Sequence, residues 1–344
     1  MNLYRLMKMA VGHGLPRPVK LAGLAVMFRL RRRTAGVFLD PVLGCNLRCR
    51  MCYFSDPVKR REMKGIMGDR ELSECAAAIF PYALKLQIGC GAEPTLYPDL
   101  EKVIRLGKEY GVPYISMTTN GQLIGSGRCS LESLAKAGLD ELTLSLHGTE
   151  REVYEHLMPG ASFETFGRLA EEIACVKKKY PDFKLRVNFT VNSLNVNGLR
   201  GELFWNLWHE GGAPDIVQLR PVQKIGESDW KDFDPQPLID AYDDTIGSMI
   251  NECRRRVITC IAPKPEQIET VAENQDGTVA LIENLTYVYV SPSGCYKADF
   301  NPSHETYAAY NRRHHTVRKL LAAIFSRSAS RSRHVSKKMN YKID

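Results

Sequence analysis

The 344-residue sequence predicts an α/β fold, an open or incomplete barrel of six strand–helix units with a small C-terminal extension. Three observations predict it. From residue 36 onward, short apolar runs alternate with amphipathic stretches six times in succession, which implies parallel strands joined by right-handed crossovers. Each apolar run ends in polar or glycine-bearing residues, and in such folds chemistry collects at the C-terminal ends of the strands. After about residue 257 this period stops and the chain changes character.

The elements follow in order. Segment 1–35 is a basic helical extension with eight Lys/Arg and no acid. Its apolar run 21–30 is far short of the roughly 20 residues a spanning helix needs, and Arg31, Arg32 and Arg33 follow it. A helix packed on the body is expected, with an interfacial helix as the alternative. Strands are expected at 36–43, 84–89, 114–119, 141–146, 184–191 and 215–221. Helices are expected at 69–80 (capped by Asp69), 97–110, 130–137, 163–179, 199–209 and 236–256, with Gly111 and Gly138 as stop signals. Beyond them, 278–283 and 285–290 read as two strands of a hairpin, and 291–295 as a turn. A short helix is expected at 320–325 and disorder over 326–344. The domain boundaries expected are 1–35, 36–256 for the barrel, 257–311 for the extension and 312–344 for a basic tail.

Charge is unevenly placed. Residues 305–344 hold ten Lys/Arg against Glu305 and Asp344, so 36–304 keeps 29 basic and 37 acidic residues, a net of −8. An acidic body with basic ends suggests an anionic partner at the termini, with solubilising ends as the alternative. Ten cysteines at irregular spacing, without a secretory signal, fit free thiols in a reducing cytoplasm better than a disulfide framework.

Three of those cysteines carry the strongest chemical signal. Cys45, Cys49 and Cys52 form C-x3-C-x2-C on the loop leaving the first strand. A closed zinc site takes four ligands. A cubane iron–sulfur cluster has four iron corners, so three thiolates leave one iron open to bind something else. A buried apolar stripe, or zinc completed by a distant His or Cys, are the alternatives. The later strand ends carry Gly89-Cys90-Gly91-Ala92-Glu93-Pro94, Thr118-Thr119-Asn120-Gly121 and Ser145-Leu146-His147-Gly148; Asn188 lies within and Asn192 after the fifth strand, and Gln218 and Arg220 lie near the sixth.

Cysteine loop and rim motifs, in this order, resemble the radical S-adenosylmethionine (SAM) superfamily over roughly 36–225. The resemblance implies an incomplete (β/α)6 barrel in which Cys45, Cys49 and Cys52 hold a [4Fe–4S] cluster. It implies that SAM chelates the open iron, that Gly91, Ala92 and Glu93 line the methionyl amino site, and that Ser145 and Asn188 contact the ribose. It further implies reductive cleavage of SAM to a 5′-deoxyadenosyl radical that abstracts hydrogen from a C–H bond, oxygen sensitivity, and a flavodoxin or ferredoxin as electron donor. The chemistry of the residues agrees: small residues at 91–92 let the backbone approach a ligand, and a carboxylate suits an ammonium group. The chain departs from the family pattern at Met51, where an aromatic residue is usual, and at Ala92, where a glycine is. Cys90 is expected in the core; His147 suits either proton transfer or a structural hydrogen bond.

Segment 287–296 resembles the start of the SPASM-type extension of radical SAM enzymes that modify peptides and proteins. Cys253, Cys260 and Cys295 include no C-x2-C pair, so a degenerate extension without an auxiliary cluster is expected. Cys295 is a candidate hydrogen-atom donor, with an idle thiol as the alternative. A peptide or protein substrate is the leading expectation. A sugar, lipid precursor or nucleic acid is the rival substrate, and a zinc-bearing interaction module without catalysis is the rival class.

Overall fold

The computed structural model describes residues 15–222, 234–269, 277–295, 297 and 299–325. The disorder expected for 326–344 lies outside the described residues. Among the described residues, nine strands form a sheet in the order β7-β6-β5-β4-β3-β2-β1-β8-β9, which is not closed. They are β1 Ala35–Leu39, β2 Ala83–Ile88, β3 Ile115–Thr119, β4 Glu141–Ser145, β5 Lys184–Val191, β6 Ile216–Pro221, β7 Thr259–Ile261, β8 Tyr287–Ser291 and β9 Gly294–Cys295. All neighbours pair in parallel except β8 and β9. The expected incomplete barrel is therefore present, with two parallel strands beyond the six expected: β7 after β6, and β8 beside β1.

Helices cover the sheet: α1 Arg17–Arg29, α2 Asp69–Ile79, α3 Leu100–Glu109, α4 Leu131–Ala137, α5 Phe163–Lys179, α6 Ser248–Arg255, α7 Gly277–Thr286, α8 Tyr307–Arg313 and α9 Thr316–Phe325. The core lies between helices and sheet, where Val37, Leu39, Leu86, Ile88, Met117, Leu142, Leu144, Val187 and Val217 are fully buried. Strand side chains alternate between faces, and the inner face is polar. It carries Lys85, Gln87, Ser116, Glu141, Thr143, Arg186 and Gln218, all buried. These residues satisfy one another: Ser116 Oγ donates to Gln87 Oε1 at 2.6 Å, Tyr114 OH to Glu141 Oε2 at 2.6 Å and Arg186 Nε to Glu141 Oε1 at 3.0 Å. Burial raises the Glu141 carboxyl, but Lys85 and Arg186 outweigh it and hold the group below its usual range.

Several expectations are corrected. Segment 278–283 is not a strand but part of helix α7, and the antiparallel pairing is instead β8 with β9, Val290 opposite Cys295. A short apolar run fits either period, and tertiary packing arbitrates. Segment 199–209 forms two short 3-10 turns, Val196–Leu199 and Trp205–Leu207, instead of a helix. Gly201 has φ 58° there, and Phe204, Trp205 and Trp208 pack against one another instead of along a helix face. Asp69 is the first helical residue of α2, and Gly68 occupies the cap. β1 ends at Leu39, since Pro41 has no N–H for a ladder. No helix among the described residues is long and apolar enough to cross a membrane.

Candidate active site

The rim where β1 to β5 end gathers the motifs. Gly44 O accepts from Glu93 N at 2.8 Å, which ties the cysteine loop to the loop after β2. Asn120 Nδ2 donates to Asn46 Oδ1 at 2.8 Å and ties the same loop to the end of β3. Arg48 N and Arg50 N donate to Pro159 O and Leu157 O, each at 3.0 Å, and dock it on the connection after β4. Met51 is buried with Leu157 and Val222, so it fills the apolar place expected of it.

The three thiols share one environment. Burial is the largest influence on each and pushes all three above the usual thiol range, Cys45 to about 12. Glu93 and Cys52 raise Cys45 further, and Cys52 and Cys45 raise Cys49. Each sulfur also accepts backbone N–H groups, for example Leu47 N to Cys45 Sγ at 3.4 Å. Such thiols are costly to ionise alone, whereas a bound metal centre deprotonates its thiols outright, and N–H···S bonds tune iron–sulfur clusters. Three buried thiols gathered on one loop, each accepting backbone N–H groups, are a donor set that fits a [4Fe–4S] cluster.

The loop after β2 is held from below by a residue that the sequence reading passed over. Asp40, at the end of β1, is buried. Its carboxyl accepts from Cys90 N at 2.7 Å, Gly91 N at 2.9 Å and Tyr289 OH at 2.7 Å. Burial raises the Asp40 carboxyl, against the pull of Tyr289 and of the Cys90, Gly91 and Ala92 N–H groups. The one readable signal was an acid closing an apolar run before Pro41. Tyr53 OH donates to Gly91 O from the other side. A Cβ at Gly91 would lie 2.6 Å from Tyr53 OH and 3.3 Å from Asp40 Oδ2, so the backbone fills this space itself. Gly89 has φ +75°, and a Cβ there would lie 2.5 Å from Thr118 O, which only glycine avoids.

Glu93 is fully buried. Its carboxyl accepts from Thr119 Oγ1 at 2.6 Å, Asn120 N at 2.9 Å, Thr95 Oγ1 at 2.5 Å and Thr95 N at 3.2 Å. Glu93 therefore organises the β2 and β3 ends as well as facing the thiols. Ser145 and Asn188 are direct partners across β4 and β5. Asn188 Oδ1 is buried without any hydrogen-bond partner, an acceptor left open on the inner face.

Other expected residues fall elsewhere. His147 is buried; its Nδ1 accepts from Thr190 N at 3.2 Å and its carbonyl from Asn195 Nδ2 at 3.0 Å. Burial lowers its pKa to about 4, so it is a neutral structural residue. Asn192 is spent on its own turn, accepting from Leu194 N at 3.0 Å. Cys295 closes the short strand β9. It lies opposite Val290, and cross-strand partners share a face, so it faces away from Tyr289 and the rim. Cys75 of α2, Lys297 and Tyr307 sense its charge instead.

Residues 40–180 match the family model of the radical SAM superfamily. Proteins of that superfamily use a [4Fe–4S] cluster and SAM. Among curated relatives, the probable GTP 3′,8-cyclase of Saccharolobus solfataricus is 31% identical over 217 residues, 59% of this chain and 63% of the relative. That of Sulfurisphaera tokodaii is 26% identical over 181 residues, 52% of this chain and 54% of the relative. The chain thus spans 54 to 63% of the length of these relatives. In fold it is similar to Streptococcus suis SuiB bound to the precursor peptide SuiA, with a TM-score of 0.57 at 16% identity over 80% of this chain and 64% of SuiB.

Proposed function

We propose that this chain is an enzyme that binds a [4Fe–4S] cluster through Cys45, Cys49 and Cys52 and cleaves SAM reductively, supplying a 5′-deoxyadenosyl radical for C–H abstraction. The observation that carries the reading is the single rim on which the three coupled thiols, the Glu93 loop and the unpartnered Asn188 Oδ1 meet. Gly91 and Ala92 present backbone to the methionyl end of SAM, Glu93 supplies negative charge toward its ammonium, and Ser145 and Asn188 take the ribose. Asp40 and Tyr53 hold the Gly91 peptide in place. A low-potential flavodoxin or ferredoxin supplies the electron.

For the substrate, the reading is a peptide or protein segment. The fold is similar to that of a protein seen with a precursor peptide, and the sheet is not closed. A second reading, a purine nucleotide, is favoured by the names of the curated relatives. Their match covers 52 to 59% of this chain, and substrate choice resides in grafted sites and not in the fold.

Anaerobic reconstitution with iron and sulfide, followed by SAM and dithionite, tests the reading. About four irons per chain and 5′-deoxyadenosine that is lost with Cys49→Ala are expected. A folded, colourless protein that leaves SAM intact would overturn it. GTP that raises the 5′-deoxyadenosine rate and is itself consumed would move the substrate from peptide to nucleotide.

A further inference from the structure

The barrel end opposite the rim carries a surface that the SAM chemistry does not use. Helices α1 and α9 pack together through Leu21, Ala25 and Leu320, and Arg17 Nη2 donates to Ala323 O at 3.1 Å. Beside them, Arg33 bonds Phe80 O at 2.9 Å, Ala83 O at 3.1 Å and Tyr110 O at 2.7 Å, all just before or at the starts of β2 and β3. The surface thus lies at the N-terminal edge of the sheet.

Arg29, Arg31, Arg32, Arg312 and Arg318 crowd this surface around two adjoining depressions. None of the five pairs with a carboxylate among the described residues, although other arginines of the same region do, as Arg313 does with Asp299 and Glu305. Apolar side chains stand among them. Phe325 is 84% exposed, Leu30 59%, Val26 56% and Leu321 45%. Leu321 and Phe325 line the larger depression, of about 580 Å³, together with Arg29, Arg312, His315 and Arg318. The sequence beyond α9, 326–344, adds six Lys/Arg against one acid, and 1–14 adds Arg5 and Lys8 against none.

We propose that this face docks on an anionic lipid bilayer. Unpaired arginines supply attraction to acidic headgroups, and exposed Leu, Val and Phe enter the headgroup–acyl boundary. A nucleic acid would use the arginines but leave three aliphatic side chains in water, since only Phe325 can stack on a base. Docking here directs the radical site away from the bilayer and leaves its mouth open.

The test is cosedimentation of the full-length protein with phosphatidylcholine vesicles, with and without phosphatidylglycerol. Binding only to the phosphatidylglycerol vesicles, weakened by salt, is expected. Arg31→Ala with Arg32→Ala should weaken it about 25-fold, at about fivefold per arginine. Phe325→Ser should weaken it too, and at 84% exposure this change does not disturb the fold. Basal 5′-deoxyadenosine formation should stay unchanged in all variants. Failure to bind acidic vesicles, or binding indifferent to Arg31, Arg32 and Phe325, would overturn the proposal. So would tighter binding of an RNA oligonucleotide that needs the arginines but not Phe325.

Discussion

Asn188 is a position where function should cost stability. Its Oδ1 is buried and unpartnered in the free protein. A buried acceptor without a partner costs about 1–3 kcal/mol. Asn188→Leu keeps the volume and removes that acceptor, so the cluster-free protein should gain up to that amount. At about 2 °C per kcal/mol for a chain of this size, Tm should rise by about 2–6 °C. On the proposed ribose contact, the same change removes a hydrogen bond worth about 1–1.5 kcal/mol, so SAM affinity should fall about tenfold. Scanning calorimetry of the cluster-free protein and equilibrium SAM binding to the reconstituted one read the two effects separately. A variant that loses stability yet binds SAM normally would refute the reasoning and make Asn188 a structural residue. A gain in Tm with weaker binding is the signature of a site held open for a ligand.

Three further predictions follow from the geometry. Asp40→Asn replaces one acceptor oxygen by an NH2 donor that faces the N–H or O–H donors pointing at it; it should cost about 1–3 kcal/mol and weaken SAM binding, whereas Tyr289→Phe should cost about 1 kcal/mol, both read by denaturation and SAM titration. Glu141→Gln leaves Arg186 buried beside a neutral partner and should destabilise by about 3–5 kcal/mol. Since the folded Glu141 carboxyl lies below its unfolded value, its contribution is present above about pH 4.3 and is lost as pH falls through the folded pKa, a slope the variant should lack in urea titrations at graded pH. His147, with a folded pKa of about 4 against about 6.5 unfolded, stabilises above pH ~6.5 and loses that contribution as pH falls toward 4; the pH profile of 5′-deoxyadenosine formation should therefore show no His147 break near neutrality, and His147→Gln should flatten the acid side of the stability curve.

Much of the molecule was legible in order along the chain. The spacing of Cys45, Cys49 and Cys52, the Gly-Ala-Glu-Pro run and the strand–helix alternation are local features, set by how few residues separate ligands and by side-chain period. They were enough to predict a parallel, unclosed barrel and the rim on which the motifs gather. Where the local signal was short, it misled: 278–283 satisfies a strand as well as a helix, and only packing chose the helix. The tertiary structure alone decided what depends on distant pairing. β8 joins the sheet beside β1, and Tyr289 thereby meets Asp40 across 249 residues of sequence. That register also turns Cys295 to the helix side, because a strand's faces alternate and a single pairing orients every side chain on it. Asn188 could be named from the family resemblance, but that its acceptor lacks a partner is a property of everything packed around it. Sequence carries ligand identity and local period; which groups are brought together, and which are left unsatisfied, is settled only when distant strands pair.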